Sequence, residues 1–305
     1  MWNKENKKMQ KKVSIIILNW NGWPDTLECL ESLACVDYDN FEVILIDNGS
    51  KEPFGYARDI KNKFGELKII PIFNKENLGF AGGNNQGIKI ALERGSDYIL
   101  LLNNDTTVES DFLKKLIEVG EKNKSYGIFG AVIYYSDEPE KIWFAGGKFN
   151  WPKTRGSHIF SKPNDELKKV DYITGCCLLI KKKVVEQIGL LSEDYFLYYE
   201  DGDWCLRAQK VGYRCGLVSS AKIYHKQSRS TQEFSYPYIY YHSRNGLIFA
   251  SLHGLTILAY LASVWIFFKQ FIKAIIDHHT DWAGPVMRGV MDFWRGKKGK
   301  LKGYY

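Results

Sequence analysis

Three apolar runs within the first 105 residues end on asparagine or aspartate, and that repetition constrains the fold most. Val13 to Leu18 is rich in β-branched residues and is broken by Asn19-Trp20-Asn21-Gly22. Phe41 to Ile46 gives way to Asp47-Asn48-Gly49-Ser50, and Tyr98 to Leu102 to Asn103-Asn104-Asp105. Short apolar runs bounded by turn formers read as buried parallel strands. Leu67 to Ile72 reads as a further strand, and helical spacing covers Pro24 to Leu33, Tyr56 to Phe64 and Gly87 to Arg94. Strands alternating with helices predict an α/β fold with a mostly parallel, doubly wound sheet flanked by helices. In such sheets ligands bind beyond the carboxyl ends of the strands. Turn chemistry accounts for any one of the three polar clusters. All three at strand ends point to a site.

The sequence also says what that site is not. A dinucleotide fold wants G-x-G-x-x-G straight after the first strand, where this chain has Asn19-Trp20-Asn21-Gly22. The glycine-rich stretch Gly79 to Gly87 lacks the Gly-Lys-Ser/Thr of a P-loop, and reads as a loop whose backbone approaches a ligand before a helix begins. The net charge of +7 suits an anionic partner such as a phosphate or acidic lipid. Much of it lies at the ends, in Lys4, Lys7, Lys8, Lys11 and Lys12 and in Arg295, Lys297, Lys298, Lys300 and Lys302. That distribution argues against a nucleic-acid partner, which needs a basic face interleaved with aromatics. Six cysteines without a C-x-x-C pair fit neither a zinc site nor a disulfide framework, and are expected to be buried thiols in a reducing compartment.

Three features carry chemistry. Asp105 follows a wholly apolar strand, so its carboxylate should stand at the sheet edge, either capping a helix or holding a hard divalent cation with diphosphate oxygens and water. Glu200, Asp201 and Asp203 put three carboxylates within four residues, bracketed by Tyr198, Tyr199 and Trp204. Their repulsion needs a metal, Arg207 or solvent to offset it, and the aromatics suggest a partly enclosed pocket where a carboxylate acts as general base. His225 stands alone, as a structural residue or a metal ligand.

Taken together, the motifs resemble the family 2 glycosyltransferases of the GT-A fold, close to their rhamnosyltransferase-like branch. The matching text is Val13 to Asn21, Val43 to Ser50, Asn77 to Gly87, Leu101 to Asp105, Thr174 to Ile180 and Phe196 to Arg207. The resemblance covers about Val13 to His225. It implies a GT-A domain over 13–233; charge and hydropathy set a basic tail (1–12) before it and a C-terminal helical, membrane-associated region (234–305) after it. It implies that Asn19, Asn21, Asp47, Asn48, Asn77, Gly79, Asn85 and Asn104 bind the nucleotide of a sugar donor, with Asp47 on the base. Asp105 would be the last carboxylate of the family's Asp-x-Asp element and hold Mn2+ or Mg2+. Asn103 replaces the first Asp, and His225 completes the site. Asp201 would be the base, with Glu200 as the alternative, while Trp143, Thr174, Gly175 and Asp203 shape the acceptor side. The implied reaction is inverting transfer from a UDP- or dTDP-sugar, with rhamnose as one candidate, to a glycan or lipid-linked acceptor in cell-envelope polysaccharide synthesis. A nucleotidyltransferase would open with a basic glycine-rich loop, which is missing here. A non-catalytic sugar-nucleotide-binding subunit would not need Asp47, Asp105 and Asp201 together.

From Leu247 to Phe268 the chain carries no formal charge over 22 residues, with His253 and Gly254 as the main interruptions. That length is enough to span a bilayer. Trp282 to Trp294 is amphipathic and aromatic, and lysines follow it. Three arrangements fit: helices lying in a membrane interface with lysines on anionic headgroups, a single span, or a buried helical pair or dimer face. With membrane attachment, the catalytic domain and both basic ends are expected on the cytoplasmic face. Arg244-Asn245 precedes the run, placed to reach phosphate or a headgroup or to cap a helix.

Overall fold

The computed structural model describes residues 10–52, 64, 67–151, 155–226, 235–276 and 280–304. Most of the basic N-terminal tail and the helix expected over Tyr56 to Phe64 lie outside the described residues. The first half runs β1 (Val13–Asn19), α1 (Trp23–Leu33), β2 (Phe41–Asp47), β3 (Ile69–Phe73), α2 (Gly79–Glu93), β4 (Tyr98–Asn103), β5 (Thr106–Val108) and α3 (Phe112–Lys122). It continues through β6 (Tyr126–Tyr135), β7 (Ile142–Phe144), β8 (Gly147–Asn150), β9 (Arg155–His158), β10 (Leu167–Val170), β11 (Cys177–Lys181) and α4 (Lys182–Ile188). The last elements are α5 (Glu200–Lys210), β12 (Arg214–His225), α6 (Tyr236–His253), α7 (Thr256–Ile276) and α8 (Thr280–Trp294).

The central sheet has the order β10-β12-β6-β11-β4-β1-β2-β3. β4, β1, β2 and β3 are mutually parallel, as helical crossovers require. Beyond β4 the sheet is mixed, because β11 enters antiparallel to both β4 and β6. Val13, Ile15, Ile16 and Ile17 of β1 are fully buried, as expected of a central strand covered on both faces. The parallel register sets Asn19 beside Asp47 and Leu18 beside Asn103. The three polar strand ends therefore converge.

The glycine-rich stretch corrects the sequence reading. It is not a loop: α2 begins at Gly79, well before Gly87. Gly83 and Gly87 recur at helical spacing on the face that meets β1. An added Cβ would come within 2.5 Å of Leu18 Cδ1 at Gly83 and 2.7 Å of Ile16 Cγ2 at Gly87. Their missing side chains let the helix lie close on the strand.

The uncharged C-terminal run is also not one element. It breaks at Gly254, so its first part completes α6 and the rest opens α7. Among the described residues no helix is long and apolar enough to cross a membrane, which corrects the single-span expectation. The basic tail is committed to the protein as well: Lys297 pairs with Asp292 at 2.9 Å, Lys298 with Asp194 at 2.7 Å and Lys300 with Glu76 at 3.3 Å. All six cysteines are free thiols, and five are buried as expected while Cys35 is exposed.

Replacing Gly83 by Ala should overpack the α2–β1 contact and cost about 1–3 kcal/mol. Urea unfolding of the full chain measures this as a lower midpoint. An unchanged midpoint would mean that the close approach is not needed.

Candidate active site

A cavity of about 940 Å³ opens where the sheet order predicts it, beyond the ends of β1 and β4. Its walls come from these strand ends, the start of α2, the segment Phe196–Tyr199, the start of α5, and α6 and α7. Of the residues singled out from sequence, Asn48, Asn77, Gly79, Asn103, Asn104, Asp105, Trp143, Thr174, Gly175, Glu200, Asp201 and His225 line it.

Asn19, Asn21, Asp47, Asn85 and Asp203 stand behind the lining. Asn19 is fully buried; its amide donates to Asp47 Oδ1 at 3.0 Å and its oxygen accepts from Thr26 Oγ1 at 3.0 Å. Ser50 Oγ donates to the same Asp47 oxygen. Asp47 Oδ2 is buried with no hydrogen-bond partner among the described residues, an acceptor left for something else. Asn21 adopts φ 56° and accepts from the Lys51 amide at 2.9 Å, which holds the loop after β1 against the loop after β2. Asn48 donates to Asn77 Oδ1 at 3.0 Å and accepts from the Leu78 amide at 3.1 Å, fixing the turn into α2. Asn104 donates to Thr26 Oγ1 at 3.0 Å. Asn85 exchanges two 3.0 Å hydrogen bonds with the Leu191 backbone and donates to Glu193. It braces α2 rather than bordering the cavity. Asp203 also departs from the acceptor-side expectation: it pairs with Arg207 at 2.7 Å and His253 at 2.6 Å. Burial raises its carboxyl, but these two partners outweigh burial and hold it below the ordinary range.

Asp105 and His225 face each other across β5 and β12, whose pairing sets Thr106 opposite His225. Asp105 Oδ1 lies 3.2 Å from His225 Nε2. Both atoms are buried, yet among the described residues neither has an aligned hydrogen bond, nor does His225 Nδ1. Two buried polar side-chain atoms this close, neither with a hydrogen-bond partner among the described residues, fit a cation. A hard carboxylate oxygen and an imidazole suit Mn2+ or Mg2+. Among the described residues no third His, Cys, Asp or Glu converges there, so a ligand's oxygens and water would complete the sphere.

Asp201 sits in the first turn of α5, where helix N-termini favour negative charge. Its Oδ2 accepts from the Gly175 amide at 2.9 Å and its Oδ1 from the Gly202 amide at 2.7 Å. Burial raises its carboxyl, and these two amides oppose the rise. Glu200 is pushed up to about 8, first by burial and then by the charge of Asp201. Glu200 therefore keeps its proton near neutral pH.

The segment before them is strained. Phe196, Tyr198 and Tyr199 have φ of 65°, 68° and 78°, a region bulky residues avoid at about 1–3 kcal/mol each. Buried side chains of α6 hold it there. Asn245 Nδ2 donates to the carbonyls of Tyr195 at 2.9 Å, Leu197 at 2.8 Å and Tyr198 at 3.2 Å. Arg244 donates to Tyr195 O at 3.2 Å and to Asn245 Oδ1 at 2.9 Å. Arg244-Asn245 is therefore a loop clamp, not a phosphate or headgroup contact. Sequence reading missed that role, although a polar pair inside an apolar helix was a signal for it. It also missed His242, which lines the cavity and stacks on Tyr198 at 4.3 Å. Burial pushes His242 down to about 4, so it is neutral there.

Residues 14–189 match the family model for glycosyl transferase family 2. The chain belongs to this family. It is 25% identical over 316 residues to the low-salt glycan biosynthesis hexosyltransferase of Haloferax volcanii, covering 97% of this chain and 95% of that one. It is 23% identical to the N-acetylglucosaminyl-diphospho-decaprenol L-rhamnosyltransferase of Mycobacterium tuberculosis, over 79% of this chain and 84% of the relative. A mannosyltransferase from Pyrobaculum calidifontis, solved with GDP-Man and Mn2+, superposes with a TM-score of 0.60 at 13% identity, covering 95% of this chain and 89% of that one. At that identity the likeness shows the shared GT-A fold. As a family 2 member this protein is a glycosyltransferase.

Two outcomes follow for this glycosyltransferase. Asn245→Ala should cost about 1–3 kcal/mol in urea unfolding, because it leaves buried carbonyls unpaired. A loss within error would show that the loop does not depend on the clamp. Glu200 binds its proton more tightly folded than unfolded. Its stabilising contribution is complete below about 4.5 and is lost as pH rises to about 8. The melting temperature of Glu200→Gln should therefore decline less than the parent's over that interval, and parallel curves would contradict the assignment.

Proposed function

We propose that the protein catalyses inverting transfer of a hexose from a nucleotide-diphosphate sugar to a glycan or lipid-linked glycan of the cell envelope. The observation that carries this reading is the Asp105–His225 pair, buried and unsatisfied at the strand ends, in the same cavity as Asp201. The donor is a UDP- or dTDP-sugar, with rhamnose a candidate, and work at the cytoplasmic face of the membrane completes the proposal. Support comes from the two relatives, whose names describe sugar transfer in glycan synthesis and, for one, a diphospho-decaprenol acceptor. The mannosyltransferase bound to GDP-Man and Mn2+ supports a nucleotide-sugar donor and a divalent ion.

Each residue then has a role. The free oxygen of Asp47 accepts from an N–H of the base, while Asn19 and Ser50 hold the other oxygen. Asn48, Asn77 and Gly79 form the wall along the ribose and diphosphate. Asp105 and His225 hold Mn2+ or Mg2+, with Asn103 beside them. When bound, such an ion neutralises charge on the diphosphate. On the other side Asp201 accepts the proton of the acceptor hydroxyl as its oxygen attacks the anomeric carbon. The bond from that carbon to the donor's diphosphate oxygen breaks, and its electron pair leaves with the diphosphate. Attack from the opposite face inverts the centre. The negative charge of Asp201 also favours the positive charge that builds on the sugar ring. Trp143, Thr174 and Gly175 shape the acceptor side.

Calorimetry with UDP, dTDP, GDP and ADP, each with Mn2+ and with chelator, tests this reading. One nucleotide should bind in the presence of Mn2+. Asp105→Ala or His225→Ala should weaken that binding by roughly tenfold or more, about 1.4 kcal/mol. Asp201→Asn should keep the binding and lose transfer. If no nucleotide binds with metal present, the donor site is misassigned and a non-catalytic assembly role becomes the better account.

A further inference from the structure

Helix α7 packs Ile266 and Phe267 against the protein and turns a wider apolar face outward. Ala259 and Ser263, small residues, face the protein, and Trp294 Nε1 donates to Ser263 Oγ at 2.7 Å. The large apolar side chains point outward: Ile257 is 70% exposed, Leu261 62%, Trp265 70%, Phe268 55% and Ile272 52%. Their spacing places them on a single helical stripe. A soluble helix orients the other way, and a contiguous exposed apolar stripe marks an interaction surface.

We propose that this face of α7 lies in the surface of a phospholipid bilayer, parallel to the membrane plane, and seats the cavity against a lipid-borne acceptor. Three observations select a bilayer over a protein partner. The outward apolar face offers few hydrogen-bonding atoms, the Trp265 indole N–H and the Tyr260 hydroxyl at its edge, whereas protein interfaces carry about one hydrogen bond per 100–200 Å². α7 carries the exposed Lys269 and no carboxylate, so its charge complements anionic headgroups. Finally, Ile266 of the same helix lines the cavity, so the helix that would meet lipid also walls the site. The helix is not long and apolar enough to cross, which leaves the in-plane orientation. Attachment is chiefly apolar, because Lys297, Lys298 and Lys300 are already paired with protein carboxylates. The lipid-borne acceptor rests on the glycosyltransferase reading. The bilayer contact does not.

Sedimentation of the full chain with vesicles of phosphatidylglycerol, and separately of phosphatidylcholine, tests the proposal. The parent should sediment with phosphatidylglycerol vesicles, less with phosphatidylcholine, and remain bound in high salt. Leu261→Ser with Trp265→Ser should weaken sedimentation by roughly tenfold or more, given the apolar area removed. Val211→Ser, which removes an exposed apolar side chain outside α7, should leave it unchanged. Mn2+-dependent nucleotide binding, retained in the double variant, reports its fold and keeps this test separate from failure of the donor site. If that variant does not fold, Ile257→Ser with Ile272→Ser serves in its place. A parent that stays in the supernatant, or a variant that sediments like the parent, overturns the proposal. So does a parent dimer, seen by light scattering, that dissociates in the variant while no vesicle binding occurs.

Discussion

The register of the parallel strands determines where everything else can stand. β1 pairs with β2 so that Asn19 meets Asp47, and with β4 so that Leu18 meets Asn103. A slip of one residue would move Asn19 away from Asp47 and Ser14 away from Glu42, and leave buried polar groups without partners. β1 is buried on both sides, and its two polar residues mark that register: Ser14 donates to Glu42 at 3.1 Å and Asn19 meets Asp47. The buried polar network at the strand ends, from Thr26 through Asn19 to Asp47 and Ser50, then forms within one hydrogen-bonded cluster. One oxygen of Asp47 has no hydrogen-bond partner among the described residues.

A second constraint comes from the C-terminal helices, which do more than attach to the domain. The segment Phe196–Tyr199 carries three non-glycine residues at positive φ directly before Glu200 and Asp201. Such strain persists only where the surroundings over-determine it. Here Asn245 and Arg244 do so from within α6, and the Arg244 guanidinium lies over the rings of Tyr240 and Tyr241 at 5.2 and 5.1 Å. The start of α5, and with it the Asp201 carboxylate between the Gly175 and Gly202 amides, depends on a helix distant in sequence. Asp203 and His253 tie the same two helices together at a second point.

The parallel half of the sheet was legible because each strand carries its own signal, an apolar run ended by a turn former. The positions of Asp105, His225 and Asp201 in one cavity followed from motif resemblance, and local pattern alone did not supply them. Contacts across long sequence separation were not legible. Asn85 looked like a ligand-facing residue, yet it is consumed by Leu191 and Glu193, more than a hundred residues away. Asp203 looked like its neighbour Asp201, but two residues further along α5 the side chain points to Arg207 and His253. The glycine-rich stretch misled for a related reason. Glycine signals both flexible loops and close helix packing, and only the position of β1 beneath it distinguishes the two. The hydropathy of Leu247 to Phe268 was real, but Gly254 divides it between a helix buried in the protein and one that faces outward.

The proposed reaction depends on Asp105 and His225 acting as a metal pair. Crystals grown with the bound nucleotide and Mn2+, measured at the manganese absorption edge, test this directly. An anomalous peak is expected within coordination distance of both Asp105 Oδ1 and His225 Nε2, with diphosphate oxygens on its open side. A peak elsewhere in the cavity, or ordered nucleotide with no peak between these two side chains, would contradict it.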